Sequence, residues 1–262
     1  DVRFDEIAGD IDLVIGGPPC QPFSIGGKHA GYHDHRDMFD DVTRALRVLK
    51  PRAFIIENVQ GLARPKFANY FQYLCDRFQR PEITRADEED WSDHLARLER
   101  EKTAASLDDP TYAVSTRLVN AADYGAPQKR DRIFIVGFRN DQAVRWTFPE
   151  PTHFRDQLLY QKCISGEYWE RHHIAKRDRP IQPEHEIKRV RKQANFLPSE
   201  NTLAWRTVRD AVRDLPEPDA EGSCGKLANH VFQPGARVYK GHTGSPFDDP
   251  AKSLKAGVHG VP

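Results

Sequence analysis

Hydrophobic positions along this chain follow two rhythms. Ile11 to Ile15 is a short apolar run cut off by Gly16-Gly17-Pro18-Pro19, which predicts a buried strand running into a stiff loop. Phe39, Val42, Leu46 and Leu49 then recur at helical spacing, predicting a helix over 36–49 that Lys50-Pro51 ends. Ala53 to Ile56 reads as a second buried strand, so the unit is strand, helix, strand, and the two strands should be parallel. Glu57-Asn58 follows this strand as Cys20 follows the first. Both positions lie at strand carboxyl ends, where open α/β sheets build their sites.

Further along, Tyr70, Phe71, Leu74 and Phe78 share one side of a helix predicted over 67–78. Residues 87–102 are strongly charged, yet Trp91, Leu95 and Leu98 stand at i, i+4 and i+7, which predicts an amphipathic helix inside an insertion at 82–109. Tyr112, Val114, Thr116 and Leu118 alternate as a strand, and Ile133 to Val136 is another. The turn-rich Asn120–Gln128 joins them, predicting an antiparallel pair at the sheet's edge. From Trp146 the periodicity weakens, and only Thr207 to Leu215 reads as an ordinary helix before Pro216. The expected organisation is an α/β domain over 1–149, which starts only ten residues before its first strand and so reads as the middle of a domain, and a smaller irregular lobe over 150–262.

Composition narrows the class. A chain of 262 residues with 38% hydrophobic and 30% charged positions reads as a globular protein with a large polar surface, and no apolar run is long enough to cross a bilayer. The four cysteines are widely spaced and form no CxxC pair, so reduced thiols in the cytoplasm are expected rather than disulfides or a zinc site. His29, His33 and His35 cluster, but no carboxylate or cysteine at ligand spacing completes a metal site. The formal net charge of zero hides polarity: Arg171 to Lys192 carries eight Lys and Arg residues against Asp178, Glu184 and Glu186. Such a face suits nucleic acid, or is simply a solvated surface.

Cys20 stands out chemically. Prolines on both sides restrict the backbone, so its thiol is presented from a rigid loop. Arg130 and Arg132 lie two apart, which on an extended segment sends both guanidinium groups to one face. Guanidinium is planar, always charged and offers forked donors suited to phosphate or a carbonyl oxygen.

Gly16-Gly17-Pro18-Pro19-Cys20-Gln21-Pro22-Phe23-Ser24, Glu57-Asn58-Val59 and Gln128-Lys129-Arg130-Asp131-Arg132, in that order after strands, resemble the motifs of the cytosine-5 DNA methyltransferases, with Asn120 to Gly125 preceding the last. The resemblance covers 1–138 and, more loosely, 207–216 and the glycine-rich end. It implies a Rossmann-like S-adenosylmethionine-dependent sheet with a target-recognition lobe, of the bacterial restriction-modification type and cytoplasmic. The partner it implies is double-stranded DNA, with no membrane.

The implied reaction is transfer of a methyl group from S-adenosylmethionine to carbon 5 of a flipped cytosine. Carbon 5 is a poor nucleophile until something adds to carbon 6, and a thiolate is suited to add and later leave. By resemblance that group is Cys20, with Glu57 at the N3 edge, Asn58 holding the loop, and Arg130 and Arg132 at the phosphates and the carbonyl oxygen. Residues 25–37 resemble the loop that closes over the base, with Ser24, Lys28 and Arg36 as phosphate contacts, Gln21 for the gap in the duplex and Gln128 ordering its own loop. Asp1, Val2, Pro19 and Met38 match positions that line the methyl-donor pocket.

The family's glycine-rich turn and its following acidic residue would precede Asp1, and its final motifs would follow Pro262. Two further expectations stay open beside the first: a split or catalytically incomplete relative, with a second polypeptide carrying the missing motifs or a DNA-binding role alone, and a methyltransferase acting on RNA cytosine. Serine at Ser24, where the RNA-directed relative carries threonine, favours DNA over RNA.

Overall fold

The computed structural model describes residues 2–19, 38–86, 89–101, 111–193, 202–217, 227, 230 and 244–253. Cys20, Gln21, Ser24, Lys28, Arg36 and Asp1 lie outside the described residues, as do the three clustered histidines and most of the glycine-rich end. The chain divides into two compact units, one of residues 1–119 with 131–149 and one of residues 120–130 with 150–262.

The first unit is built on a four-stranded sheet of β1 (Leu13–Gly16), β2 (Ala53–Val59), β4 (Asp131–Arg139) and β3 (Tyr112–Asn120), in that spatial order. β1 and β2 are parallel, with Leu13 opposite Ala53 and Gly16 opposite Ile56. β2 and β4 are antiparallel, pairing Glu57 with Phe134 and Val59 with Arg132. Two expectations are corrected here. Glu57 and Asn58 do not follow their strand but belong to it, because β4 continues the ladder to Val59. β1 is not the buried strand its apolar run predicts, because as an edge strand among the described residues it leaves Leu13 and Ile15 exposed, whereas β4 and β3 do pair at the opposite edge, β3 outermost.

Side chains of β2 alternate, so Phe54, Ile56 and Asn58 face the core while Ile55 and Glu57 face the other way. Helices α1 (Phe39–Leu49) and α2 (Ala68–Gln79) bury Phe39, Leu46, Tyr73, Leu74 and Phe78 in the same core. Among the described residues α1 starts at Phe39, three residues later than its periodicity predicts. The Phe54 ring packs edge-on against Phe78 at 5.8 Å and Tyr112 at 5.3 Å. Its cross-strand partner is Gly137, where an added Cβ would come within 2.2 Å of the ring. Only glycine fits opposite that ring.

The charged insertion forms helix α3 (Trp91–Glu101), shorter than the predicted 87–102. Trp91 stacks on Tyr70 and Tyr73, and Leu98 enters the core. His94 is fully buried, with Nδ1 at 2.9 Å from the Tyr73 hydroxyl and Nε2 at 3.1 Å from the Ile83 carbonyl oxygen. Burial holds its pKa below the usual histidine value, so the neutral ring accepts from Tyr73 and donates to Ile83.

The second unit has a two-stranded parallel sheet of β5 (His153–Phe154) and β6 (Leu203–Ala204), surrounded by α4 (Arg155–Tyr160), α5 (Glu167–Arg171), α6 (Glu184–Gln193) and α7 (Val208–Val212). Its core gathers Leu158, Tyr168, Trp169 and Trp205, and the polar tips of these rings are satisfied: Trp205 Nε1 donates to Asp123 at 2.8 Å and Trp169 Nε1 to the Lys162 carbonyl at 2.7 Å. α7 is five residues long rather than the predicted nine, and Thr207 closes its start in a capping box with Asp210. Part of the basic run is already used inside this unit. Arg189 pairs with Asp156, Arg171 with Asp210, and Lys188 with Glu184.

Candidate active site

The site starts from strand register. Gly16 lies opposite Ile56, so the chain leaving β1 runs beside Glu57 and Asn58 as they complete β2. The two are close: a Cβ added at Gly17 would stand in ordinary contact with Glu57 Oε2, at 3.4 Å. Asn58 is 2% exposed and ties the two strand ends together. Its Nδ2 donates to the Pro18 carbonyl at 3.2 Å, and its Oδ1 accepts from the Val59 N–H at 2.8 Å. A buried amide that satisfies two backbone groups in this way fixes the loop that leads into Cys20.

Glu57 points to the opposite face of the sheet. Its cross-strand partner is Phe134, so Arg132, two residues away on β4, is its diagonal neighbour on the same face. The Arg132 Nε meets Glu57 Oε1 at 2.6 Å, and Arg132 also donates to the Asp131 carbonyl at 2.7 Å. A carboxylate and a guanidinium therefore stand together at the carboxyl end of β2, with one carboxylate oxygen and further guanidinium donors beyond the pair. The pairing of Glu57 with Arg132 was not expected from motif order alone. The missing signal is the antiparallel ladder, which motif spacing does not reveal.

Arg130 and Gln128 belong to the second unit. The Arg130 N–H donates to Asn120 Oδ1 at 3.4 Å, and its carbonyl accepts from the Ala121 N–H at 3.0 Å. Gln128 forms a parallel bridge with Ala251, next to the hydrogen bond from the Lys129 N–H to the Ala251 carbonyl at 2.8 Å. Ser253 adds a third tie, its hydroxyl donating to the Lys129 carbonyl at 2.8 Å.

Val2, Pro19 and Met38 are brought together. They line a cavity of about 490 Å³ in the first unit, with Phe4, Ile15 and Ile56 adding apolar wall. The volume lies in the range of small-molecule sites, and the mixture of apolar wall with one charged edge is typical of them. That edge is Arg44, which pairs with Asp41 at 2.6 Å, donates to the Val2 carbonyl at 2.9 Å and covers the Phe4 ring at 4.7 Å. Arg44 thus fastens residues 2–4 over the cavity.

Two other thiols can be set aside as nucleophiles. Burial pushes the Cys75 thiol up to about 12, and raises that of Cys163 as well, so neither forms a thiolate near neutral pH. Among the described residues no group of three or more His, Cys, Asp or Glu side chains converges as a metal site, and no helix is long and apolar enough to cross a membrane.

Comparison with known proteins gives the following. The profile of a family described as C-5 cytosine-specific DNA methylase matches residues 1–81 and 92–220. The Type II methyltransferase M.NaeI of Lentzea aerocolonigenes is 37% identical over 142 residues, or 54% of this chain and 27% of that protein. M.AquIA of Picosynechococcus is 38% identical over 145 residues, 55% of this chain and 49% of that protein. M.SacI of Streptomyces achromogenes is 31% identical over 245 residues, 90% of this chain and 45% of that protein. The aligned part of this chain spans less than half the length of each of these three relatives.

Proposed function

We infer, since the chain belongs to the C-5 cytosine-specific DNA methylase family, that the protein methylates carbon 5 of cytosine in DNA. The observation that carries this reading is the juxtaposition of Glu57, Arg132 and the Asn58-tethered loop at the ends of β1 and β2. The three groups suit one flipped pyrimidine.

In this reading the Cys20 thiolate adds to carbon 6, forming a carbon–sulfur bond and sending an electron pair toward carbon 5 and N3. Glu57 donates a proton to the N3 edge as charge develops there, and Arg132 meets the carbonyl oxygen while holding Glu57 in place. Carbon 5 then takes the methyl group, its proton passes to water, and the electron pair left behind expels the thiolate from carbon 6 as N3 returns its proton to Glu57. The base must leave the stack first, at a cost of a few kcal/mol, which contacts from Gln21, Ser24, Lys28, Arg36, Arg130 and Gln128 to the duplex would offset.

S-adenosylmethionine, when bound, supplies an electrophilic methyl group on sulfur. The cavity's apolar wall of Val2, Pro19 and Met38 suits its nucleoside and the carbon arms of its sulfonium, and the motif match assigns Asp1 to the adenine. The relatives' names place them in Type II systems, and we extend that role to this protein as a bacterial modification enzyme. The test is direct: full-length protein is incubated with duplex DNA and the methyl donor, and the digested DNA is analysed by mass spectrometry. Accumulation of 5-methyl-2′-deoxycytidine is expected. Its absence from DNA, or its appearance only in RNA, would contradict the reading.

A further inference from the structure

A second cavity, of about 330 Å³, lies on the other side of Arg44, lined by Asp40, Thr43, Arg44, Arg47, Arg77 and Arg85 together with Thr84 and Ala86. Among the described residues, four guanidinium groups there meet two carboxylates, Asp40 in the lining and Asp41 beside Arg44. Asp40 is shared, meeting Arg77 at 2.6 Å and Arg85 at 3.3 Å, while Arg44 is engaged with Asp41. Arg47 has no hydrogen-bond or ion-pair partner among the described residues. Arg77 is only 6% exposed, with its guanidinium over the Tyr73 ring at 5.4 Å, yet its Nε has no hydrogen-bond partner among the described residues.

Such an arrangement is unfavourable on its own. Like charges crowd a partly desolvated space, and a buried donor is left unmade. A group with several acceptor oxygens and more than one negative charge offsets the crowding of like charges, and guanidinium binds phosphate oxygens in pairs. A carboxylate ligand would bring a single charge to four arginines. We propose that this cavity binds a phosphate group, either on a small phosphate ester or on a nucleic-acid backbone, at a place separate from the Glu57–Arg132 constellation.

The test uses full-length protein. Inorganic phosphate is titrated calorimetrically at constant ionic strength into wild type, Arg47→Ala, Arg85→Ala and Arg77→Gln. Arg77→Gln touches the core and its fold is checked by circular dichroism, whereas Arg47 is half-buried and Arg85 exposed, so their variants keep the test sound. Saturable binding that weakens at least tenfold in Arg47→Ala and Arg85→Ala is expected. A second arm measures affinity for a short duplex against salt. If Arg47→Ala lowers that affinity uniformly across sequences and reduces the salt slope by about one, the phosphate is a backbone phosphate; an unchanged slope assigns the site to a small ester. Absence of saturable phosphate binding to wild type, or binding within twofold of wild type in both Arg47→Ala and Arg85→Ala, overturns the site whatever the duplex arm shows.

Discussion

Asn58 offers the sharpest link between the fold and the chemistry, because one buried side chain joins the end of β2 to the loop before Cys20. Replacing it with alanine removes an acceptor from the Val59 N–H and a donor from the Pro18 carbonyl. Each backbone group left unmade costs about 1–3 kcal/mol when no water replaces the partner. Pro18 is only partly buried and water can reach it, so a total of about 2 kcal/mol is expected for Asn58→Ala. The effect on turnover should exceed that on binding, since a shift of about 1 Å in a reacting group can cost on the order of 100-fold. Asn58→Asp separates hydrogen bonding from volume. It keeps the acceptor for Val59 but sets a carboxylate 3.2 Å from the Pro18 carbonyl, so it should be at least as damaging as alanine despite its shape. Urea unfolding and single-turnover methyl transfer on the two variants read both quantities. If Asn58→Asp unfolds within about 0.5 kcal/mol of wild type and turns over at the wild-type rate, the amide does not hold the loop and the argument fails.

Three further outcomes follow from the same geometry. Glu57→Gln keeps the volume beside Gly17 and should leave stability nearly unchanged, because the Arg132 pair is partly exposed, while single-turnover methyl transfer drops by about 100-fold or more; an unchanged rate would remove Glu57 from the mechanism. Gly137→Ala drives a methyl group into the Phe54 ring and should cost about 1–3 kcal/mol in urea unfolding, and combining it with Phe54→Leu should cost less than the sum of the two. His94 has a folded pKa below its unfolded value, so as pH falls through about 6.5 the unfolded chain takes up a proton that the folded one does not. Stability is therefore lost toward low pH, and His94→Gln should flatten that decline between pH 7.5 and 5.5, measured by urea midpoints; parallel curves would refute it.

Much of the first unit can be read from residue pattern. Period-two and period-3.6 spacing locate β2, α1 and α2 because each buries an apolar face, β1 is located by its apolar run although Leu13 and Ile15 are exposed at the sheet edge, and the α/β Rossmann-like methyltransferase sheet is the fold observed. The misread positions share one cause, which is dependence on a distant strand. Glu57 and Asn58 look like a turn because they are polar, yet β4 keeps them in the ladder. His94 is a separate case, since the apolar spacing of its helix assigns it no role, and it is buried against Tyr73 on α2, 21 positions earlier. The second unit was hard to read because its core rests on a few large aromatics whose polar tips are tied by single hydrogen bonds rather than on periodic faces. At the site, residue types and order identify the chemistry, whereas the Glu57–Arg132 pair and the cavity shared by Val2, Pro19 and Met38 need the register and the packing of α1.

The central claim is that Cys20 forms a covalent bond with carbon 6 of a cytosine presented next to Glu57. Full-length protein incubated with the methyl donor and a duplex carrying 5-fluorocytosine reads this directly, because fluorine at carbon 5 prevents the final loss of a proton. A denaturation-resistant complex, its mass equal to protein plus methylated DNA strand and its bond mapped to Cys20, is predicted for wild type and not for Cys20→Ser. No trapped complex with wild type, or equal trapping by Cys20→Ser, would contradict the account.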